Sequence, residues 1–423
     1  MLRALDRQRA IYIKGMSGER PAVPFHANIL RETARQKMSP STWAYIDGGA
    51  GDESTMQSNL EALAGVRISP QMMQDNAAAD FSSRLLGLDL KFPLLIAPIG
   101  ALDMVCADAD LKVASACRDT GTPFVFSNQA GVPMESCAST MGMVPHWFQL
   151  YWSKSDELVL SFVKRAEASG SKAIVLTVDT TLLGWRSRDL SLGYLPFLRG
   201  LGIAQYTSDP VFQRLLKEGA DQFLPAGAPA AKPRINLTAI ANLLRLKSNY
   251  PGGFWHNLTR GEALEAVRLF VNIYSNPSLS WEQVRWLRTQ TKLPILIKGI
   301  LRVDDAERAV EAGADGIIVS NHGGRQVDGA ISSLSALRNI RKALPRPFPL
   351  LMDSGIRTGS DMFKALALGA DAVLLGRPYA YGLAIDGQSG VASVINNICN
   401  DFELTARLSG CRNLSEISEK KVI

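Results

Sequence analysis

The chain has 423 residues, 46% hydrophobic and 20% charged, with a formal net charge of +6. That is globular composition, in a chain long enough to bury a core without disulfide or metal staples. Lys and Arg are spread along the chain with no block of like charge, which argues against nucleic acid, and no apolar run is long enough to span a membrane.

The five cysteines, Cys106, Cys117, Cys137, Cys399 and Cys411, fit neither a disulfide framework nor a CxxC metal site. The N-terminal stretch MLRALDRQRAIYIKG has no continuous apolar signal region. A reducing, cytoplasmic setting without a metal is the expectation.

Residues 1–92 are expected to form a cap segment of helices and short strands, ahead of a barrel domain over 93–420. From residue 93 onward, short apolar runs recur. They are LLIAPIG (94–100), PFVFSNQ (123–129), HWFQLYW (146–152), AIVLTVDT (173–180), PILIKGI (294–300), GIIVSNHG (316–323), PLLMDSGI (349–356) and AVLLGRPY (372–379). Continuous rather than alternating apolar runs mark strands covered on both faces. Helical spacing lies between them. In DDAERAVEAGAD (304–315), Asp304 or Asp305 is expected to cap the start and Gly313 to mark the exit. GSDMFKALALGAD (359–371) reads the same way. Eight strand–helix repeats predict an α/β protein, a (β/α)8 TIM barrel. An open doubly wound sheet is the alternative, disfavoured because no GxGxxG follows the first run.

Residues 187–280 interrupt the repeat after strand four, far beyond the ~2–6 residues of an ordinary βα connection. This insertion holds YLPFLRGLGI (194–203), GAPAAKP (227–233) and TRGEALEAVRLFVNI (259–273). At the end of a strand it is placed to act as a lid or an irregular functional loop.

Polar residues at the C-terminal ends of barrel strands point into the site of this fold. Here they are Ser127, Gln129, Gln149, Tyr151, Thr177, Asp179, Lys298, Asn321, His322, Asp353, Gly376 and Arg377. So many polar strand ends are hard to explain by packing, since unpaired buried polar groups are costly. DSGIRTGSD (353–361), with Gly355 and Arg357, and GRP (376–378) occupy the usual phosphate position of the fold. The alternative is plain turns using Gly for positive φ. Lys298 either snorkels to the surface or stabilises charge on a flavin. His322 has no ligand set around it. Beside two glycines and with Arg325 three residues on, it suits a general base next to a carboxylate grip, with Asp179 orienting the imidazole.

The set TVDT (177–180), PILIKG (294–299), SNHGGRQVD (320–328), DSGIRTG (353–359) and GRP (376–378) resembles the FMN-dependent α-hydroxy-acid oxidising family. Glycolate oxidase, lactate oxidase, lactate 2-monooxygenase and flavin–haem lactate dehydrogenase belong to it. The resemblance covers roughly residues 28–420. It implies FMN as cofactor and His322 as base with Asp179 as its partner. It implies Arg186 and Arg325 as the carboxylate clamp, and Tyr45 and Tyr151 as substrate contacts. Lys298 matches the lysine beside flavin N1 and O2. Ser127, Gln149, Thr177, Ser320, Asp353, Gly355, Arg357, Gly376 and Arg377 match flavin and phosphate contacts.

APIGA (97–101), GWRSRDL (184–190), YLPFLRG (194–200), SDPVFQ (208–213) and GRPYAYG (376–382) resemble the lactate 2-monooxygenase branch. Three positions depart from glycolate oxidase. Gln129 replaces a tryptophan. Pro98-Ile99-Gly100 stands where Pro-Thr-Ala flanks flavin N5. CADAD (106–110) replaces a His-x-x-Gly-Glu start. The resemblance implies oxidation of a small L-2-hydroxy acid such as L-lactate, with O2 as acceptor and a homotetramer or homo-octamer as the assembly. Retention of the oxo acid under a lid would give acetate, CO2 and water; early release would give pyruvate and hydrogen peroxide. A quinone or protein acceptor, giving a dehydrogenase, is a further alternative. An FMN-dependent isomerase of isoprenoid diphosphates would need a diphosphate pocket in place of Arg186, His322 and Arg325. An inactive barrel should have lost His322 or Lys298.

Overall fold

The computed structural model describes residues 3–219, 223, 236–252, 255, 257 and 261–423. The GAPAAKP stretch (227–233) lies outside them.

Each of the eight apolar runs forms one strand. They are β1 (Leu94–Ile96), β2 (Phe124–Phe126), β3 (His146–Tyr151), β4 (Ile174–Thr177), β5 (Ile295–Ile300), β6 (Gly316–Val319), β7 (Leu350–Met352) and β8 (Ala372–Leu375). All pair in parallel with their chain neighbours, and β8 returns to β1 through Val373↔Leu94 and Leu375↔Ile96. That pairing closes the sheet and excludes the open doubly wound alternative.

Strand periodicity then sorts the side chains. Leu95, Val125, Trp147, Val175, Leu296, Ile318, Leu351 and Leu374, one from each strand, gather inside the barrel. Their neighbours Ile96, Phe126, Phe148, Leu176 and Ile297 pack outward among the helices. Both faces are dry, so the strands read as unbroken apolar runs. The lower interior is therefore filled, and chemistry is confined to the other end. The floor is sealed by an antiparallel hairpin, Ser83–Leu85 with Leu88–Leu90. It adds Leu85, Leu88 and Leu90 to the inner cluster.

Helices Ala4–Gly15, Ala27–Lys37, Pro40–Asp47 and Ser54–Gly65 precede the barrel. The long C-terminal helix Arg377–Leu408 breaks at Asp386 and Gly387 and packs on Ala27–Lys37 and Ala109–Thr120. Gly359–Ala367 starts as a capping box between Thr358 and Asp361. The helix Val303–Glu311 corrects the sequence expectation: its N-cap position is Arg302, with no side-chain cap. Asp304 and Asp305 lie inside the first turn, where they favour the positive end of the helix dipole. Asp304 is drawn from capping by its ion pair with Arg302, 2.8 Å.

The insertion after β4 contributes, among its described residues, helices Pro210–Glu218, Leu237–Asn249 and Glu262–Ile273. They carry an aromatic core of their own. Tyr206 meets Phe270 edge-on at 4.8 Å, and Tyr274 stacks on Phe270 at 5.2 Å. Among the described residues no helix is long and apolar enough to cross a membrane.

Trp147 is the largest side chain in the barrel interior and is fully buried. Trp147→Ala should cost about 3–5 kcal/mol of stability, read by chemical denaturation. A loss below about 1 kcal/mol would show that the hairpin and neighbouring strands collapse into the space.

Candidate active site

Asp179 and His322 follow β4 and β6, with β5 between them, yet their side chains meet. His322 Nδ1 lies 2.8 Å from Asp179 Oδ1. Two backbone features allow this. β5 carries a bulge at Gly299, between Lys298 and Ile300. A Cβ on Gly299 would stand 2.7 Å from the Asp179 Cβ, so only glycine lets the carboxylate lean across the strand. His322 itself is left-handed, with φ +58°, and Gly323 and Gly324 continue at positive φ. This tight turn swings the imidazole back over the barrel mouth. A Cβ on Gly324 would also strike the Met56 backbone N at 2.6 Å. The two glycines of SNHGG are thus backbone requirements.

Thr180 Oγ1 donates to Asp179 Oδ1 at 2.9 Å and lies 3.3 Å from His322 Nδ1. With Nδ1–H given to the carboxylate, Nε2 is the nitrogen left with a lone pair. Burial holds the imidazole below its ordinary pKa, and nearby Lys298 adds to this against the pull of Asp179. Burial opposes ionisation of Asp179, but the His322, Lys298 and Thr180 contacts outweigh it and hold the carboxyl low. The pair rests as neutral imidazole and carboxylate.

Lys298 ends the apolar part of β5, beside Thr177 of β4, which in turn pairs with Tyr151 of β3. Its ammonium donates to Ser320 Oγ at 2.9 Å and pairs with Asp353 Oδ2 at 3.2 Å. Burial alone would discharge it, yet the Asp353 and Asp179 carboxylates keep its pKa raised. The snorkelling alternative is excluded, since Lys298 is buried.

The guanidiniums of Arg186 and Arg325 lie 5.7 and 4.9 Å from the Tyr45 ring centroid. Arg325 donates to the carbonyls of Tyr45 and Gly48, and Arg377 donates to Gly48 at 2.8 Å and Gly323 at 2.9 Å. The Tyr45 and Gly48 carbonyls close helix Pro40–Asp47, whose C-terminal end is the negative pole of its dipole. The cap helix is thereby tied to the barrel rim. Burial, then repulsion from Arg186, pulls Arg325 down to about 9. Two crowded guanidiniums of this kind call for an anion.

His322, Thr180, Lys298, Asp353, Arg186, Arg325 and Arg377 line one cavity of about 960 Å3, including its open mouth, with Asp179 behind His322. Tyr45, Tyr151, Arg186, Lys298, His322 and Arg325 share its wall with Pro98, Ile99 and Gly100. Asp353, Gly355, Arg357, Gly376 and Arg377 form the far end. Ser127, Gln149, Thr177 and Ser320 stand one layer lower, and all four are buried. Ser127 Oγ accepts from Gln129 N, and Gln149 Oε1 accepts from Asn128 N. Gln149 Nε2 and Thr177 Oγ1 have no partner among the described residues. Orphaned polar atoms beside a buried ammonium fit the polar edge of a flavin, and the arginine- and glycine-lined end fits its phosphate.

Asn321 does not face this cavity. Its amide makes a reciprocal pair with Asn59, at 2.9 and 2.7 Å, and so staples helix Ser54–Gly65 to the turn after β6. Sequence reasoning missed Thr180, Phe197 and Tyr274 on the wall. Thr180 adjoins Asp179 and was within reach. Phe197 and Tyr274 come from the insertion, where nothing in the periodicity marks an inward residue.

A closed βα barrel whose mouth joins a carboxylate-held imidazole, a buried ammonium and an anion-binding end defines a phosphate-cofactor oxidoreductase site. The chain matches the FMN-dependent dehydrogenase family over residues 34–423 and belongs to it. It is 37% identical to the FMN-dependent α-hydroxy acid dehydrogenase QulF of Penicillium citrinum, over 97% of this chain and 93% of that protein. It is 36% identical to an L-lactate oxidase of Lysinibacillus sphaericus, over 96% and 94%. A crystal structure of mandelate oxidase with (S)-4-hydroxymandelic acid superposes with a TM-score of 0.75 at 31% identity, covering 95% of this chain and 98% of that one. The protein is an FMN-dependent α-hydroxy-acid oxidoreductase.

His322 should titrate below the ordinary imidazole value of about 6.5 and stay neutral at pH 7, with the proton on Nδ1. Asp179→Asn removes the carboxylate that stabilises the imidazolium and should move the midpoint lower still. Imidazole 15N chemical shifts across pH check both; a midpoint above 6.5, or a rise on substitution, would contradict the arrangement.

Proposed function

We propose that the protein oxidises small L-2-hydroxy acids, L-lactate among them, with His322 as the base. The observation that carries this reading is His322, held by Asp179, facing the same cavity as Arg186 and Arg325. The two guanidiniums bind the substrate carboxylate, which relieves their repulsion. Tyr45 packs between them, and Tyr151, kept as a neutral phenol mainly by burial, offers its O–H to the substrate. FMN, when bound, would supply the two-electron acceptor, with O2 as the final oxidant. Nε2 of His322 receives the proton that leaves with the α-carbon's oxidation, whether from carbon or from the hydroxyl. Asp179 stays ionised and stabilises the imidazolium that forms.

Lys298, Ser127, Gln149, Thr177 and Ser320 would hold the flavin ring, with Pro98, Ile99 and Gly100 beside it. Asp353, Gly355, Arg357, Gly376 and Arg377 would hold its side chain and phosphate. The fixed ammonium of Lys298 favours the negative charge gained on reduction. Residues 187–280 act as the lid. Phe197 and Tyr274 on the cavity wall support retention of the oxo acid, and with it the monooxygenase outcome of a shortened carboxylic acid, CO2 and water. The second reading, release of the 2-oxo acid with hydrogen peroxide, is favoured by the L-lactate oxidase among the relatives. Five free cysteines support a cytoplasmic setting, and exposed Trp185, Leu190 and Leu192 support a homo-oligomer.

Product analysis in air with L-lactate should show acetate in excess of pyruvate; stoichiometric pyruvate and peroxide would select the oxidase. His322→Gln should slow anaerobic flavin bleaching by ~10²–10⁴-fold while FMN stays bound. Bleaching at a near-wild-type rate would remove His322 from the chemistry.

A further inference from the structure

Gln129 follows β2 at the mouth and lines the cavity, although the residue is only 6% exposed. Its backbone is committed: the N–H donates to Ser127 Oγ at 3.0 Å, and the carbonyl accepts from Ala101 N at 2.8 Å. Its side-chain amide has no hydrogen-bond partner among the described residues. Several charged heads on the wall already hold protein partners. His322 holds Asp179, Lys298 holds Ser320 and Asp353, and Arg325 holds the Tyr45 and Gly48 carbonyls.

The amide also has a defined place. A Cβ built on Gly100 would lie 3.0 Å from Gln129 Oε1, so the side chain folds over the loop after β1. Ile99, Tyr151, Phe197 and Tyr274 supply apolar and aromatic surface on the same cavity. The amide's donors and acceptor open onto the cavity, so a substrate group can take them up without breaking a hydrogen bond within the protein. Being uncharged, the amide balances neither a second carboxylate nor an ammonium.

We propose that Gln129 is a specificity-determining residue whose amide binds a neutral hydroxyl on the substrate's side chain. The favoured substrates are then L-2-hydroxy acids carrying a further hydroxyl beyond the α-carbon. This rests on the proposed hydroxy-acid oxidation and names the substrate class of that same site.

Two isosteric pairs test it on the FMN-loaded enzyme. One is L-glycerate against L-2-hydroxybutanoate; the other is the L-form of 2,4-dihydroxybutanoate against L-2-hydroxypentanoate. Within each pair a hydroxyl replaces a methyl. The wild-type enzyme should favour the hydroxylated member of at least one pair by ~10-fold or more in kcat/KM. Gln129→Leu should bring that ratio to one or below, and Gln129→Asn, a shortened amide, should retain part of it. Ratios are unaffected by the fraction of variant that folds. A wild-type preference for the methyl member of both pairs would overturn the proposal, and so would a ratio unchanged in Gln129→Leu. A fall equal for both members would assign the amide to the flavin or the fold and overturn it likewise. If none of the four acids, nor L-lactate, bleaches the flavin, the oxidation reading falls and this one with it.

Discussion

A chain of alternating charges runs around the barrel mouth, and the site depends on its balance. Asp353 after β7 faces the Lys298 ammonium on β5. That ammonium acts on Asp179 after β4, and Asp179 holds His322 after β6. Each charge is buried, where a lone ion is expensive. Each is kept in its working state by its neighbours: Asp353 keeps Lys298 protonated, His322 and then Lys298 keep Asp179 ionised, and Asp179 holds the proton on Nδ1 of a neutral imidazole. Removing one link would reset the others, so this is one coupled unit. The bulge at Gly299 and the left-handed turn at His322 to Gly324 are the backbone cost of bringing it together.

Around this balanced line the rim carries surplus positive charge. Arg186, Arg325, Arg357 and Arg377 all reach the same cavity. Part of their demand is met by the carbonyl end of helix Pro40–Asp47, through Tyr45 and Gly48. Part remains for anions. This division explains why the N-terminal segment is integral to the site. It delivers the Tyr45 ring to the two guanidiniums, and it anchors the β6 turn through the Asn59–Asn321 pair. Opposite the cap, the insertion presents Phe197 and Tyr274 from its own aromatic core. The cavity is thus roofed by two segments outside the eightfold repeat. Under the proposed reading they decide which acid enters and how long its product stays.

The linear sequence determined the barrel, because strands dry on both faces must be continuously apolar, and eight such runs leave few architectures. It also marked the strand ends as polar, and with them Gln129, Tyr151, Lys298, His322, Asp353, Gly376 and Arg377 on the cavity wall. Only the folded chain decided where each of those groups points. Asn321 and His322 are adjacent, yet one pairs with Asn59 of the cap and the other swings over the mouth. The helix start at Arg302, in place of Asp304 or Asp305, was settled by a local ion pair that competes with capping. Phe197, Tyr274 and the unpartnered amide of Gln129 gained their meaning from tertiary contact alone. Periodicity reports which face of a strand or helix is dry; it says nothing of which distant segments meet across a cavity, because those contacts come from closing the sheet and packing the insertion upon it.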